Sequence, residues 1–173
     1  MADTVTTLAD TAFAPVGGYN DTLTEITLGA AIEYLSGELF LNCRTLEAVK
    51  IHEDNPNYLS SEGLVYTKNG VSLILCPQGK TGTVSVRVGT STIWRYAFGG
   101  QQQASRIVIP EGVKTIRKGN FVSYRKDVLD LQLPGTLEKI YPDMFRSPDG
   151  YQVTCPAGST AEAFARSRGV KLS

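Results

Sequence analysis

The sequence holds a single histidine, and that scarcity removes more chemistry than any other feature of its composition. A Ser-His or Cys-His nucleophile would require His52 to meet a partner from a distant part of the chain, and a zincin site needs a second histidine one helical turn away. The three cysteines, Cys43, Cys76 and Cys155, form no CxxC pair and leave an odd thiol, which indicates neither a zinc ribbon nor a disulfide framework. They are read as reduced. Excess charge of one sign is also lacking: seventeen Lys and Arg cancel seventeen Asp and Glu, so the electrostatic pull of non-specific binding to nucleic acid or an anionic membrane is missing. No nucleic-acid partner is expected. No apolar run approaches the roughly 18 to 20 residues that span a bilayer, so no membrane insertion is expected either. The N-terminus has no basic region followed by an apolar core, and the chain as it stands carries no export signal.

Local motifs add little chemistry. Gly79-Lys80-Thr81 resembles the end of a phosphate-binding loop, but residue 74 is Ile where that loop needs glycine, and a strand rather than a helix is expected to follow. His52-Glu53-Asp54-Asn55 gathers possible ligands without EF-hand or zinc spacing, and reads as a polar turn. Asn20-Asp21-Thr22 matches a glycosylation acceptor, which matters only in a eukaryotic secretory pathway. No catalytic, cofactor or metal set emerges.

What the chain does have is a repeat. Ile107-Val-Ile-Pro-Glu-Gly-Val-Lys-Thr-Ile116 is followed by Phe121, and Leu131-Gln-Leu-Pro-Gly-Thr-Leu-Glu-Lys-Ile140 by Phe145, five residues on in each case. Upstream, Val86 and Val88 lead to Ile93 and Phe98, and Ile26 and Leu28 lead to Leu35 and Phe40. Strand starts recur at 23 residues from Ile26 to Val49, 21 from Val86 to Ile107, 24 to Leu131 and 22 to Val153. Units this short cannot bury their apolar side chains alone, so they must stack and share one core. The expected fold is a right-handed, β-rich leucine-rich-repeat solenoid of short stacked strands, α/β only by loose classification. Its 42% hydrophobic content is enough for such a core.

The segmentation follows. Residues 1–22, rich in Thr, Ala and Asp, read as an N-terminal leader or cap, and 23–155 as the solenoid. The 37 residues from Val49 to Val86 hold an insert, placed at 56–80, whose two apolar runs meet at Asn69-Gly70 and predict a β-hairpin beside or across the stack. The Gly99–Gln103 turn reads as a mobile loop. Residues 156–173 form a C-terminal cap, with a helix from Ala161 to Arg168 capped by Thr160 and ended at Gly169. Cys155 falls where earlier copies have Ile109 and Leu133, which predicts a buried thiol.

The two quoted repeats resemble those of BspA-type leucine-rich repeat proteins of bacteria. Gly63–Pro77 is similar to the hairpin insert of that family and Gly158–Leu172 to its closing helix. The resemblance runs from about residue 23 to the C-terminus. It implies a surface or secreted protein that works by adhesion or protein binding, without a catalytic set. Three departures stand out: the Val86 copy is two residues short before Ile93, the family's Ala-Phe pair survives only as Ala97-Phe98, and a signal peptide is missing. An extracellular or cell-surface location therefore rests on the resemblance alone.

Strand alternation assigns the exposed side chains. Thr27, Lys50, Arg87, Val108, Gln132 and Thr154 are expected in one outward column, with Glu25, Ala48, Ser85, Arg106, Asp130 and Gln152 beside it and Lys50, Arg87 and Arg106 toward one end. A second candidate surface is the aromatic set Trp94, Tyr96, Tyr124 and Tyr141. The function read from the sequence is a non-enzymatic binding module for a protein or surface glycan. The alternative is a structural or oligomer-forming part of phage or prophage origin, with homo-oligomer contacts.

Overall fold

Runs of β-branched and aliphatic residues that end in Pro or Gly within four or five positions make strands too short to stand alone, and their order sets everything else. The computed structural model describes residues 4–9, 12–13, 17–121, 127–145 and 148–173. The elements are β1 (Glu25–Leu28), β2 (Ala48–Ile51), β3 (Tyr58–Ser61), β4 (Leu64–Thr67), β5 (Ser72–Leu75), β6 (Gly82–Ser85), β7 (Thr92–Ile93), β8 (Ala104–Val108), β9 (Thr115–Ile116), β10 (Leu129–Gln132), β11 (Lys139–Ile140), β12 (Tyr151–Thr154), α1 (Thr160–Ser167) and β13 (Lys171–Leu172). Among the described residues they form a two-stranded sheet β1-β2, a five-stranded sheet β6-β8-β10-β12-β13 and a six-stranded sheet β3-β4-β5-β7-β9-β11. The fold is the expected β-solenoid with little helix.

From β6 to β11 each copy gives one strand to the first side of the solenoid and one to the second: β6 and β7, β8 and β9, β10 and β11. Ile26 stands opposite Val49, and Val84, Ile107, Leu131 and Val153 align in the five-stranded sheet. On the second side Leu73, Ile93, Ile116 and Ile140 align. Five residues past these anchors, Phe98, Phe121 and Phe145 stack with centroids 5.4 and 5.8 Å apart, and Phe164 of α1 closes the column at 5.9 Å. Offset aromatic stacking of this kind adds to what area burial alone supplies.

The register differs from expectation in one copy. Val84, rather than Val86, pairs with Ile107, so Val84 to Ile93 spans the same nine residues as Ile107 to Ile116, and the copy is not short. Val86 moves to the place of Ile109, and Val88, expected to point inward, is 81% exposed. In the sequence Val84, Val86 and Val88 alternate as one face of a strand would, so a two-residue slip leaves the pattern unchanged; in the structure β6 ends at Ser85 and Val88 lies in a turn. The segment expected as a leader also carries the register: Thr7 bridges Tyr34 in parallel, which sets Leu8 beside Leu35, and Phe13 stacks on Phe40 at 4.9 Å.

The insert is a three-stranded meander, not a two-stranded hairpin. β3 and β4 turn at Glu62 and Gly63, both at positive φ (51° and 78°), the twist that a two-residue hairpin favours. At the second turn Gly70 alone takes positive φ (72°), while the Asn69 carboxamide oxygen accepts the Val71 N–H. β5 then serves twice, pairing antiparallel with β4 and parallel with β7, so the extra residues lie before Ser72.

The meander also divides the molecule. The Val49 N–H donates to the Gly63 carbonyl and the Ile51 N–H to the Ser60 hydroxyl, which occupies the edge of β2 away from β1. β4 stands as a septum, with Leu64 and Tyr66 in the larger core and Val65 in the smaller. The backbone stack continues past this break because Gly79 packs on Thr45, where a Cβ would meet the Thr45 carbonyl carbon at 2.5 Å.

The Gly99–Gln103 segment is a pinned turn rather than a mobile loop. The buried Gln101 donates through Nε2 to the Pro77 and Lys80 carbonyls and accepts the Gln103 and Ala104 N–H groups through Oε1. At the C-terminus the helix starts one residue earlier than expected, at Thr160, because the Ser159 hydroxyl accepts the Glu162 N–H and so acts as N-cap. Ala161 and Ala165 are buried against the last layer. Cys155 is half-buried rather than fully buried, since it directly follows β12, the last full strand of the five-stranded sheet, and only β13 comes after.

Candidate binding faces

The outward side chains of the five-stranded sheet follow from its register. Thr83, Arg106, Asp130, Gln152 and Lys171 form one column, and Ser85, Val108, Gln132 and Thr154 the next. These side chains bond to one another across strands. Arg106 Nη2 donates to Gln132 Oε1 at 2.7 Å, and its Nε lies 3.4 Å from Asp130 Oδ2. Thr154 Oγ1 donates to Asp130 Oδ1 at 3.3 Å and shares a hydrogen bond with the Ser173 hydroxyl. A polar face already held in one arrangement loses less side-chain freedom when a partner covers it.

One feature of this face arises only from the stacking of copies. Pro110, Pro134 and Pro156 follow the strands at the same step in three successive copies, and with Val108, Gln132 and Cys155 they line an open groove of about 290 Å³. The prolines were visible in the repeats, but only stacking makes them a groove. Beside it Glu111 accepts the Gly135 N–H at 2.9 Å and the Thr136 N–H, which holds its carboxyl below the usual range. The groove is small and open, suited to an inserted side chain more than to an enclosed ligand.

The expected basic end does not assemble. Arg106 and Gln132 lie together on the five-stranded face, but Lys50 lies on β2 of the separate two-stranded sheet, paired with Glu25 at 2.7 Å. Arg87 leaves the column altogether, because the register places Ser85, not Arg87, opposite Val108. Its N–H donates to the Tyr66 hydroxyl, and its guanidinium lies beside Gly70 at the hairpin turn.

The aromatic set separates as well. Trp94 and Tyr141 each follow a second-side anchor, Ile93 and Ile140, with the Arg117 guanidinium 4.2 Å from the Trp94 ring centre and Lys139 Nζ 4.8 Å from that of Tyr141. Tyr96 sits in a turn at positive φ (55°), its backbone against Gly37 and its ring against Gly119. Tyr124 lies outside the described residues. His52 is exposed, its Nδ1 accepting the Asp54 N–H, and among the described residues no three His, Cys, Asp or Glu side chains gather around one point. Gly79 of the Gly-Lys-Thr run is a packing glycine and is followed by β6, as expected.

The signature of the BspA type leucine rich repeat region, in six copies, matches residues 1–73 and 77–167. The chain belongs to the BspA-type leucine-rich repeat family. That match reaches the N-terminal segment, in agreement with the register of Leu8 and Phe13. No curated protein matches the chain in sequence. Among solved structures, a leucine-rich repeat protein from Eubacterium ventriosum is similar over 81% of this chain and 38% of its own, at 20% identity and a TM-score of 0.66. A leucine rich cell surface protein from Faecalibacterium prausnitzii covers 88% and 48%, at 18% identity and 0.58. The pneumococcal vaccine antigen PcpA covers 88% and 56%, at 13% identity and 0.51. The chain thus spans between 38% and 56% of the length of these relatives, and the likeness is one of fold. The family is a repeat type that binds or builds rather than one defined by a catalytic set.

Proposed function

We propose that this protein is a non-enzymatic binding module that presents its five-stranded parallel sheet to a protein or glycan partner in adhesion or assembly. The observation that carries the reading is the cross-strand ladder of Arg106, Asp130, Gln132 and Thr154, an exposed polar surface held by its own hydrogen bonds beside a proline-lined groove. Solenoids offer such extended faces because stacking aligns one side chain per copy. The Faecalibacterium relative is a cell surface protein, which supports extending surface placement to this chain as part of the proposal.

The test is unbiased capture of surface proteins and glycans by the wild type and by R106E/Q132A, with Lys50→Glu as the control on the separate sheet. A partner retained by the control and lost by R106E/Q132A supports the reading. A partner bound equally by all three places binding elsewhere. Self-association by light scattering with no captured partner would favour a structural subunit instead.

A further inference from the structure

The second side of the solenoid carries an order of its own. Trp94, Arg117 and Tyr141 each stand one residue past an aligned anchor, and each N–H donates to the anchor one copy back: Trp94 to Leu73, Arg117 to Ile93 and Tyr141 to Ile116, at 2.9, 3.0 and 3.3 Å. They are therefore one strand spacing apart, about 4.8 Å, in one column, of which the half-buried Trp94 also packs on both cores. Arg117 lies over Trp94 and Lys139 over Tyr141, so two cations are held by aromatic rings rather than by carboxylates. Among the described residues Arg117, Lys118 and Lys139 form no ion pair, whereas Lys114 is taken by Glu138 at 2.9 Å. The three short strands with their flanking residues, 92–96, 114–118 and 138–143, hold five basic side chains against two acidic ones, in a chain with no net charge overall.

We propose that this face binds an acidic polysaccharide. A stacked guanidinium keeps its N–H fork free at the edge, in the geometry that grips a carboxylate or sulfate. Cations repeated along a sheet suit anionic groups repeated along a polymer. A single-stranded nucleic acid would need bare ring faces for its bases, and here a cation covers one face of both Trp94 and Tyr141. An anionic membrane would be met by apolar side chains able to insert, but Trp94 is half-buried and packs on both cores. The surface is separate from the polar ladder, and the inference stands whether or not the five-stranded sheet binds a partner.

The experiment measures binding of polygalacturonate and dextran sulfate to the full chain at about 0.15 M salt, with neutral dextran, oligodeoxythymidine and polyglutamate as comparisons. The expected result is binding of the two acidic polysaccharides, none of dextran, and a loss of about tenfold or more in R117Q/K139Q while K50Q, on the separate two-stranded sheet, is unchanged. Because Arg117 also packs on Trp94, a second readout uses the wild type: bound polysaccharide should shield Lys118 and Lys139, and not Lys50, from amine acetylation. Failure to bind, equal binding by R117Q/K139Q, preference for the oligonucleotide or polyglutamate, or shielding of Lys50 instead would overturn the inference.

Discussion

Gln78 donates through Nε2 to the Gly99 carbonyl at 3.1 Å, at the step where the neighbouring copies carry Phe40 and Phe98. It stands five residues past Leu73, so the phenylalanine column is interrupted in the copy that carries the insert. Phe13 and Phe40 stack on one side of this break and Phe98, Phe121, Phe145 and Phe164 on the other, which matches the division into two cores. A polar side chain at a buried step needs its partner, and the Gly99 backbone supplies it.

Gln78→Leu keeps the volume but removes the donor from a buried carbonyl. It is expected to cost about 1–3 kcal/mol in urea denaturation. An unchanged midpoint would mean that the Gly99 carbonyl finds another donor.

Phe121 is 3% exposed and lies between two other rings of the column. Phe121→Ala should destabilise by about 3–5 kcal/mol. Arg87→Ala, at an exposed position outside the sheet columns, should stay within about 0.5 kcal/mol of the wild type by the same measurement.

Thiol labelling separates the cysteines. Cys155 is half-buried and should react with an aromatic disulfide reagent in the native state, while Cys43 and Cys76 are buried and should react only as the protein opens. Three thiols reacting together without denaturant would contradict the burial.

Alkaline pH should loosen the fold through the septum strand and its neighbour. Burial pushes the Tyr66 hydroxyl up to about 12 from an ordinary 10, and the Cys76 thiol up to about 12 from 9. Both folded values are raised, so the contribution is complete below pH 9 and is lost as pH rises from there toward 12. Stability measured across that range should fall, and Cys76→Ala should flatten the decline.

The sequence carried the stacking period plainly, because the anchor-to-phenylalanine interval of five residues survives wherever a copy is intact: Leu35 to Phe40, Ile93 to Phe98, Ile116 to Phe121 and Ile140 to Phe145. Leu8 to Phe13 shows the same interval, and was overlooked because Thr- and Ala-rich flanks obscure it. The valine run at 84, 86 and 88 gave no register of its own, since slipping an alternating strand by two keeps every side chain on the same face. The signal was the short copy itself, which disappears once Val84 is the anchor. The separation of Lys50 from Arg106 could not be foreseen without knowing that Gly63 and Ser60 occupy the edge of β2, whereas Arg87 leaves the column through the register of Val84. The polar ladder of Arg106 and Gln132 was legible as adjacent columns, whereas the proline groove and the cations over Trp94 and Tyr141 depend on side-chain placement across copies.

The place of β6 on the five-stranded face depends on the pairing of Val84 with Ile107, and a comparison of Val84→Ala with Val88→Ala by chemical denaturation tests it most directly. Val86 is buried in either register and does not discriminate. Val84 is 3% exposed and Val88 81%, so Val84→Ala should lose about 1.5–3 kcal/mol. Val88→Ala should change stability by less than about 0.5 kcal/mol. The reverse ranking would contradict the register and, with it, the placement of Thr83 and Ser85 in the outward columns and of Arg87 outside them.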